Sequence, residues 1–573
     1  MLEARRLTGP NMVFDGTGAV LEVELPTEGP PPPGAGARHG AWAENVRELV
    51  AALGMKKARP QVRRHDNGIS LGMSATRDLL YTATEILEAA WQLAGGESGR
   101  RPHFDDCVEK LRTSLTKEAR PELLKLEAEA NRKSLPLLAD DDFVSLGYGA
   151  SSLTWPVDEL PAVDDVPWED LAEIPVALVT GTNGKTTTVR LLAAMLREAG
   201  FVTGTSSTDS VEVNGELIEK GDWSGPGGAR TILRDTRVQA AVLETARGGL
   251  LRRGLNVPRA TTAAVLNVAE DHFGEWGIHS LDDLADAKLL VSRAVPRERQ
   301  LVLNADDPFV WERGARLSVP SLPFGLARDS VGIAACLDQN RDALWIDDGK
   351  IVGVFQSKPV ELGKVSDVAL GMGGAARHNL SNALAAASMA LVMGLEPDAI
   401  RATLKNFASS VASNPGRSNL FEFGKLTALV DFAHNPHGLA AVVETCAALP
   451  AKKRAVVLGQ AGDRDDAALH ALADAVLPLE PDLVILKEMS EHARGREVGD
   501  VVELLAARLV EQGVAEKKIE RAPTELDAVR RAFESAGDGD QLLLLTHAQR
   551  DEVFDFVASL EAAKWKPGDK LPK

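Results

Sequence analysis

Val176-Ala-Leu-Val-Thr180 runs directly into Gly181-Thr-Asn-Gly-Lys-Thr-Thr-Thr188, and Val189-Arg-Leu-Leu-Ala-Ala-Met-Leu-Arg197 follows with helical composition. A β-branched apolar run, a glycine loop and a helix in that order are the context of a nucleotide-binding loop. Glycines let backbone N–H groups close around phosphate oxygens, and the helix N-terminus adds positive potential. In such a loop Lys185 reaches the β- and γ-phosphates, and the hydroxyl of Thr186 ligates Mg²⁺. Val179 stands where the general G-x-x-x-x-G-K-S/T loop has its first glycine. The loop is therefore the compact form made by Gly181, Thr182, Asn183, Gly184, Lys185, Thr186 and Thr187. A glycine-rich turn that merely carries a lysine would not need the flanking strand and helix.

Outward from this loop, 573 residues allow about three or four domains. Hydrophobic content of 44% with 26% charged residues fits an ordinary globular protein. No segment reaches the roughly 18 apolar residues of a membrane span, and Met1-Leu-Glu-Ala-Arg-Arg6 lacks the apolar core of a signal peptide. Cys107, Cys336 and Cys446 lie far apart, offering neither a disulfide framework nor metal-type spacing. A cytoplasmic, reducing setting is expected. A net charge of −19 has the wrong sign for general nucleic-acid binding and leaves room for a cationic substrate. Neither nucleic acid nor membrane is an expected partner.

The fold class expected is α/β in three parts. Residues 1–160 read as an N-terminal α+β domain with no nucleotide signature. Leu21-Glu-Val-Glu-Leu25 alternates like a strand ahead of the Pro30-Pro-Pro-Pro33 loop, and helical patterns surround 41–53 and 75–93. Between them, Lys56-Lys57-Ala-Arg59-Pro-Gln-Val-Arg63-Arg64 is a basic cluster, either a solvated loop or a site for an anionic polymer or substrate carboxylate. Residues 158–173, rich in Pro, Asp and Glu, read as a linker. Residues 174–411 alternate strands and helices as in a mainly parallel sheet, with strands expected at 238–244, 261–268 and 300–304. Residues 412–573 make a second start, with apolar strands at 427–432, 455–459, 483–487 and 541–546, and read as a smaller, Rossmann-like α/β domain.

Glu244 ends an apolar strand, where a carboxylate at the C-terminal edge of a parallel sheet faces a ligand. Asp271-His272 follows another strand, after Asn267, and Lys288 lies in a helical pattern at 284–290. Singly, each has a plain reading: Glu244 as a helix cap, His272 as a loop histidine, Lys288 as a surface lysine. Their order behind a phosphate loop favours a site.

That order continues with Asn304-Ala-Asp-Asp-Pro308, Arg377-His-Asn-Leu-Ser-Asn382, Pro415-Gly-Arg417 and Asp431-Phe-Ala-His-Asn-Pro436. Over residues 174–573 it resembles the Mur ligase superfamily, whose members use ATP to join a carboxylate to an amine through an acyl phosphate. Gly221-Asp-Trp-Ser-Gly-Pro226, Glu244-Thr-Ala-Arg-Gly-Gly-Leu-Leu-Arg252, Gly462-Asp-Arg-Asp465, and Lys487-Glu with Arg494-Gly-Arg-Glu497 are similar, more narrowly, to the Mur-like part of cyanophycin synthetase. Leu7-Thr-Gly-Pro-Asn11 resembles that family's opening, and Leu146-Gly-Tyr-Gly149 the start of its ATP-grasp part. Only about 30 residues separate Gly149 from the phosphate loop, too few for an ATP-grasp domain. The sequence is thus similar to a cyanophycin synthetase with its middle removed, and polymer synthesis by this chain alone is not expected.

The resemblance implies roles. Lys185, Glu244, His272, Lys288 and Arg417 would be catalytic, with Lys185 and Arg417 on the ATP phosphates. Thr186 and Glu244 would hold one Mg²⁺, and Glu244 with His272 a second near the acceptor carboxylate. Lys288 matches a lysine carbamylated in many Mur ligases; an unmodified structural lysine is the alternative. Asn304, Asn379 and Asn382 would lie on the adenine side and Asp431 at the ribose, with the C-terminal domain closing over nucleotide to exclude water. His434 and Asn435 would touch the acyl phosphate or incoming amine, or form a structured turn. Asp463, Asp465, Glu488 and Glu497 could pair with a guanidinium, or serve as helix caps and surface charges. Arg496, in the same stretch, is a further expected substrate contact.

The activity expected is that of an ATP-dependent ligase joining an amino acid, arginine among them, to a carboxylate of an aspartate-containing or peptide acceptor. A ligase of cell-wall-precursor or polyglutamate type is a second reading. A non-catalytic partner of a separate ATP-grasp protein is a third, against which the presence of Lys185, Thr186, Glu244 and His272 argues. The sequence leaves a homo-oligomer open.

Overall fold

The computed structural model describes residues 4–24, 35–66, 68–96, 101–271 and 273–572. The chain forms two compact units. One comprises Met1–Trp345, Gly353–Val360 and Leu384–Ile400; the other comprises Ile346–Val352, Glu361–Ala383 and Arg401–Lys573. The boundary expected near residue 160 falls inside the first unit.

In the first unit, Ala4–Leu7, Gly18–Glu24, Gly68–Ser74 and Pro60–His65 pair antiparallel in that spatial order. Helix Leu80–Leu93 buries Leu80, Ala83, Ile86, Leu87 and Ala90, the i, i+3, i+4 spacing of one face. That face joins Trp42, Leu49, Leu71 and Met73 in one core, the α+β arrangement expected. The basic cluster is not a solvated loop throughout. Arg63 sits on the paired strand Pro60–His65, donates to Asp283 at 2.5 Å and to Gly277 O at 3.1 Å.

Residues 158–173 are also more than a linker. Val166 and Leu171 are buried with Leu123, Leu126, Val144 and Leu146, which belong to helix Pro121–Arg132 and strand Phe143–Leu146. The opening loop is pinned at a distance. Arg5 Nε donates to Leu251 O at 3.1 Å, Thr8 N to Arg253 O at 2.7 Å, and Leu255 N to Pro10 O at 2.8 Å. A Cβ at Gly9 would lie 1.9 Å from Leu255 O, so only glycine permits this approach.

The large sheet of this unit runs Glu216–Lys220, Ser210–Val213, Thr203–Ser206, Ala240–Glu244, Val176–Thr180, Thr262–Val265, Leu301–Asn304, Ser321–Gly325 and Ala343–Asp347. From Thr203–Ser206 onward the neighbours are parallel. Val176–Thr180 is buried along its length, between two parallel neighbours and against helix Lys185–Glu198. Parallel strands align their C-terminal ends, so the segments after Thr180, Ser206, Glu244, Val265 and Asn304 emerge along one edge.

The second unit has a six-stranded sheet in the order Asn419–Phe423, Leu426–Asp431, Gln541–Leu545, Arg454–Leu458, Leu483–Lys487 and Ile519–Ala522. Its first pair is antiparallel and the rest are parallel. Leu439, Leu469 and Leu505 pack on one face, and Val529, Phe533 and Val557 on the other, as a Rossmann-like layering requires. The chain is thus α/β with parallel-rich sheets, and the expected strands lie within a few residues of those observed. Among the described residues, no helix is long and apolar enough to cross a membrane.

Candidate active site

Gly184 has φ 87° and ψ −9°, a left-handed conformation immediately before helix Lys185–Glu198. That conformation costs glycine nothing and lets the loop turn into the helix. The loop is pinned to the chain after Thr262–Val265. Thr182 N donates to Asn267 O at 3.0 Å, and Asn183 N to Asn267 Oδ1 at 2.8 Å. Asn267 Nδ2 returns a bond to Asn183 O at 3.0 Å, and Ala269 N donates to Thr182 Oγ1 at 3.0 Å. Lys185 arches back over its own loop, Nζ lying 3.1 Å from Gly181 O and 3.0 Å from Thr182 O.

Glu244 is only 2% exposed and accepts from Thr186 Oγ1 at 2.8 Å and from Thr208 Oγ1 at 2.6 Å. It does not cap the following helix, Arg247–Arg253, whose N-cap position is Ala246. A buried carboxylate beside two hydroxyls at the end of a phosphate loop is a set of hard oxygen donors, which suits Mg²⁺. Thr208 was not singled out from sequence, because a threonine after a short strand carries no signature. A cleft opens beside Glu244, lined by Ser224, Pro226, Thr245, Leu250 and Asn256.

Lys288 is not a surface lysine. It is 3% exposed, on helix Leu281–Leu289, which Ser280 caps by accepting from Asp283 N. Burial, and then the charge of Lys185, push its amine well below the ordinary lysine range; Asp271 and Asp307 oppose the shift and Arg247 adds to it. His272 lies outside the described residues. Both ends of the Asn304 amide are used on backbone, donating to Leu266 O at 2.7 Å and accepting from Asp306 N at 2.9 Å. Asp307 accepts from Val268 N at 2.8 Å and caps helix Pro308–Gly314.

In the second unit, Asn379 and Asn382 lie on helix Arg377–Val392, with Asn382 Nδ2 3.3 Å from Asn379 Oδ1. Asn379 is 2% exposed, and its Nδ2 is buried without a partner among the described residues, a donor that suits a heterocycle nitrogen. Asp431 accepts from Ser418 N and Ala433 N, both at 2.7 Å. The Arg417 guanidinium lies 4.6 Å from the centre of the Phe432 ring. Asn435 caps helix Pro436–Ala448 by accepting from Gly438 N, and Gln460 Nε2 holds His434 O at 2.5 Å.

The acidic residues read as guanidinium partners have structural work here. Asp463 pairs with Arg494 at 2.5 Å, and Asp465 caps helix Asp466–Ala475. Glu488 accepts from Met489 N and Gly499 N. Arg496 binds Gly462 O, Arg464 O and Asp466, tying two loops together. Glu497 is exposed, and its N–H donates to Asp500.

Two family descriptions match the chain: the Mur ligase middle domain over residues 179–390, and the Mur ligase glutamate ligase domain over residues 416–546. The chain therefore carries the middle and C-terminal domains of the Mur ligases. Within that class it is similar to a cyanophycin synthetase of Synechocystis sp., 38% identical over 341 residues, 60% of this chain and 39% of that protein. A UDP-N-acetylmuramoyl-L-alanyl-D-glutamate–2,6-diaminopimelate ligase of Syntrophomonas wolfei is 29% identical over 301 residues, 51% of this chain and 57% of that one. The alignments span about two fifths of the length of the cyanophycin synthetases. E. coli FolC, solved in complex with ADP and without folate, shares the fold at 18% identity and TM-score 0.50, over 68% of this chain and 90% of that one.

Proposed function

We propose that this protein is an ATP-dependent carbon–nitrogen ligase that activates a carboxylate as its acyl phosphate and passes the acyl group to the amine of an amino acid. The observation that carries this reading is the buried Glu244 carboxylate held between Thr186 and Thr208, beside a Gly181–Thr188 loop over which Lys185 is folded. Joining two anions demands charge neutralisation and positioning more than covalent chemistry.

On this reading Lys185 leaves its two loop carbonyls for the β- and γ-phosphates. Thr186 and Glu244 would hold Mg²⁺, which supplies charge neutralisation at the phosphates. His272 is proposed for a second ion. Burial lowers the Lys288 amine from its ordinary range and so favours the neutral form that adds CO₂; carbamylation there is part of the proposal. Asn379 would meet adenine through its unpartnered Nδ2, with Asn382 beside it. Asp431 is proposed for the ribose, Arg417 for the phosphates, and His434 and Asn435 for the acyl phosphate or the amine. We retain Asn304 as a residue that shapes the nucleotide pocket through Leu266 and Asp306, rather than one that presents a free amide.

Similarity to cyanophycin synthetases supports an aspartate-containing peptide as acceptor and arginine as amine. Asp463, Asp465 and Glu488 would have to give up existing contacts to bind a guanidinium, so amino-acid identity is best settled by assay. The test is phosphate release from ATP and Mg²⁺ across the amino acids, with short aspartate peptides as acceptors and mass spectrometry for the amide. Release that requires one amino acid and one acceptor together is expected. ATP hydrolysis indifferent to both would overturn the ligase reading.

A further inference from the structure

At the C-terminal edge of the second sheet, three side chains unused by the proposed reaction form one chain of hydrogen bonds that runs from a buried ion pair to a half-buried histidine. Lys487 ends strand Leu483–Lys487, and its side chain and that of Glu525 are both fully excluded from solvent. Lys487 Nζ pairs with Glu525 Oε2 and donates to Leu545 O at 2.5 Å. Glu525 also accepts from the backbone N–H groups of His547, Ala548 and Gln549 at 2.7, 3.2 and 2.9 Å. Acceptor use of both oxygens identifies it as the ionised carboxylate. A Cβ at Gly459 would come within 2.5 Å of Lys487 Cγ, so that glycine makes room for the lysine stem.

The third contact of Lys487 Nζ is His547 Nδ1 at 3.2 Å. An ammonium has no lone pair, so Nδ1 accepts and the ring proton resides on Nε2. Nε2 then donates to Ala433 O at 3.0 Å. Burial, and then the charge of Lys487, push the imidazole below the ordinary histidine range and so favour the neutral ring, whose tautomer the Lys487 contact selects. Ala433 is the middle residue of Asp431–Asn435. The same imidazole meets the ring of Phe432 edge-on at 5.2 Å, and Phe432 carries the Arg417 guanidinium. A pair that only stabilised the core would have no need to direct its remaining donor at this loop.

We propose that Lys487, Glu525 and His547 are positioning residues, which hold the Asp431–Asn435 loop, and through Phe432 the Arg417 guanidinium, in the geometry that ligation needs. This rests on the ligase reading. His547→Phe keeps an aromatic ring against Phe432 but removes both the Nδ1 acceptor and the Nε2 donor. His547→Gln restores an N–H that can reach Ala433 O.

In the full-length chain, with the substrate pair found by phosphate release, His547→Phe should lower kcat by about 10- to 100-fold, the scale of an ångström-level misplacement. KM for ATP should rise as well, because the loop carries Asp431 and positions Arg417, the proposed ribose and phosphate contacts, and His547→Gln should recover much of both losses. A lowered melting temperature with kcat unchanged in both variants would overturn the proposal. A second readout does not depend on ligation. Hydrogen exchange at Ala433–Asn435 should rise by about tenfold or more in His547→Phe while the central strands keep their protection. Unchanged exchange there would also overturn it. Faster exchange in a protein that ligates nothing would sink the ligase reading and uphold the positioning.

Discussion

Two loops at strand ends, Gly181–Thr188 in the first unit and Asp431–Asn435 in the second, are both held by polar contacts of very different kinds. The phosphate loop is held by a left-handed glycine, by single hydrogen bonds through the uncharged side chains of Asn267 and Thr182, and by a lysine that bonds to residues three and four positions before it. The second loop is held by a buried ion pair and a histidine 114 residues further along the chain. The lesson concerns separability. Among the described residues Lys185 contacts loop carbonyls and makes no ion pair, so its chemistry can be removed without unfolding the protein. Lys487 and Glu525 are fully desolvated, so stability and positioning there come together.

The hardest break of that contrast is Lys487→Met, which strands the Glu525 carboxylate in the core. It should cost about 3–5 kcal/mol, read as a fall in the urea midpoint of the second unit. A midpoint equal to wild type would mean that the pair carries no stability and that the two loops do not differ in this way. Lys185→Ala should lower ligation by about 10²- to 10³-fold, the cost of losing one group that stabilises transition-state charge. Its melting temperature should match the parent; a lowered one would erase the separability.

Glu22 offers an intermediate case. Burial pushes its carboxyl up, but His65 at 3.7 Å and Arg5 at 2.6 Å outweigh it and hold it at about 2, against an ordinary 4.5. A carboxyl lowered on folding contributes stability that is present above its unfolded value and lost as pH falls towards the folded one. The loss, roughly 3 kcal/mol by linkage, should therefore fall between about pH 4.5 and 2. Glu22→Gln should flatten the unfolding free energy across that window; an unaltered pH slope would show that Glu22 is not responsible. The smallest effect sharpens the acidic loops. Asp465→Ala should cost about 1 kcal/mol as a lost helix cap and leave the amino-acid KM unchanged. A raised KM would return Asp465 to the substrate.

Much of the fold was legible because its signals are local. The apolar run 176–180, the glycine loop and the second set of parallel strands are contiguous strings, and each lies within a few residues of its expected place. Helix Phe104–Glu118 sets Phe104, Cys107, Val108 and Leu111 at helical spacing against the N-terminal core, although only Leu111 is fully buried, and its many charged residues masked that period. The supposed linker hid two core residues, Val166 and Leu171, among acids and prolines. At the candidate site, Glu244 stood out as a carboxylate ending an apolar strand, whereas its partner Thr208 did not. The burial of Lys288 was beyond the sequence, because helix periodicity places a residue on a face without saying what covers that face. His547 was invisible for a related reason: its importance comes from Lys487, 60 residues earlier, and Ala433, 114 residues earlier.

The seam between the opening loop and Leu251–Leu255 also sets an order of events during synthesis. Thr8 and Arg253 are 245 residues apart, and Arg5 and Leu251 are 246. At a translation rate of 5–20 residues per second, the earlier groups wait roughly 12–50 s for the later ones to leave the ribosome. Through that interval Thr8, Gly9 and Pro10 have no surface to close against, and a nascent chain stalled before residue 251 should expose them to protease. Residues made early are thus seated late: the loop after the first strand closes only when the helix beside Glu244 has been made.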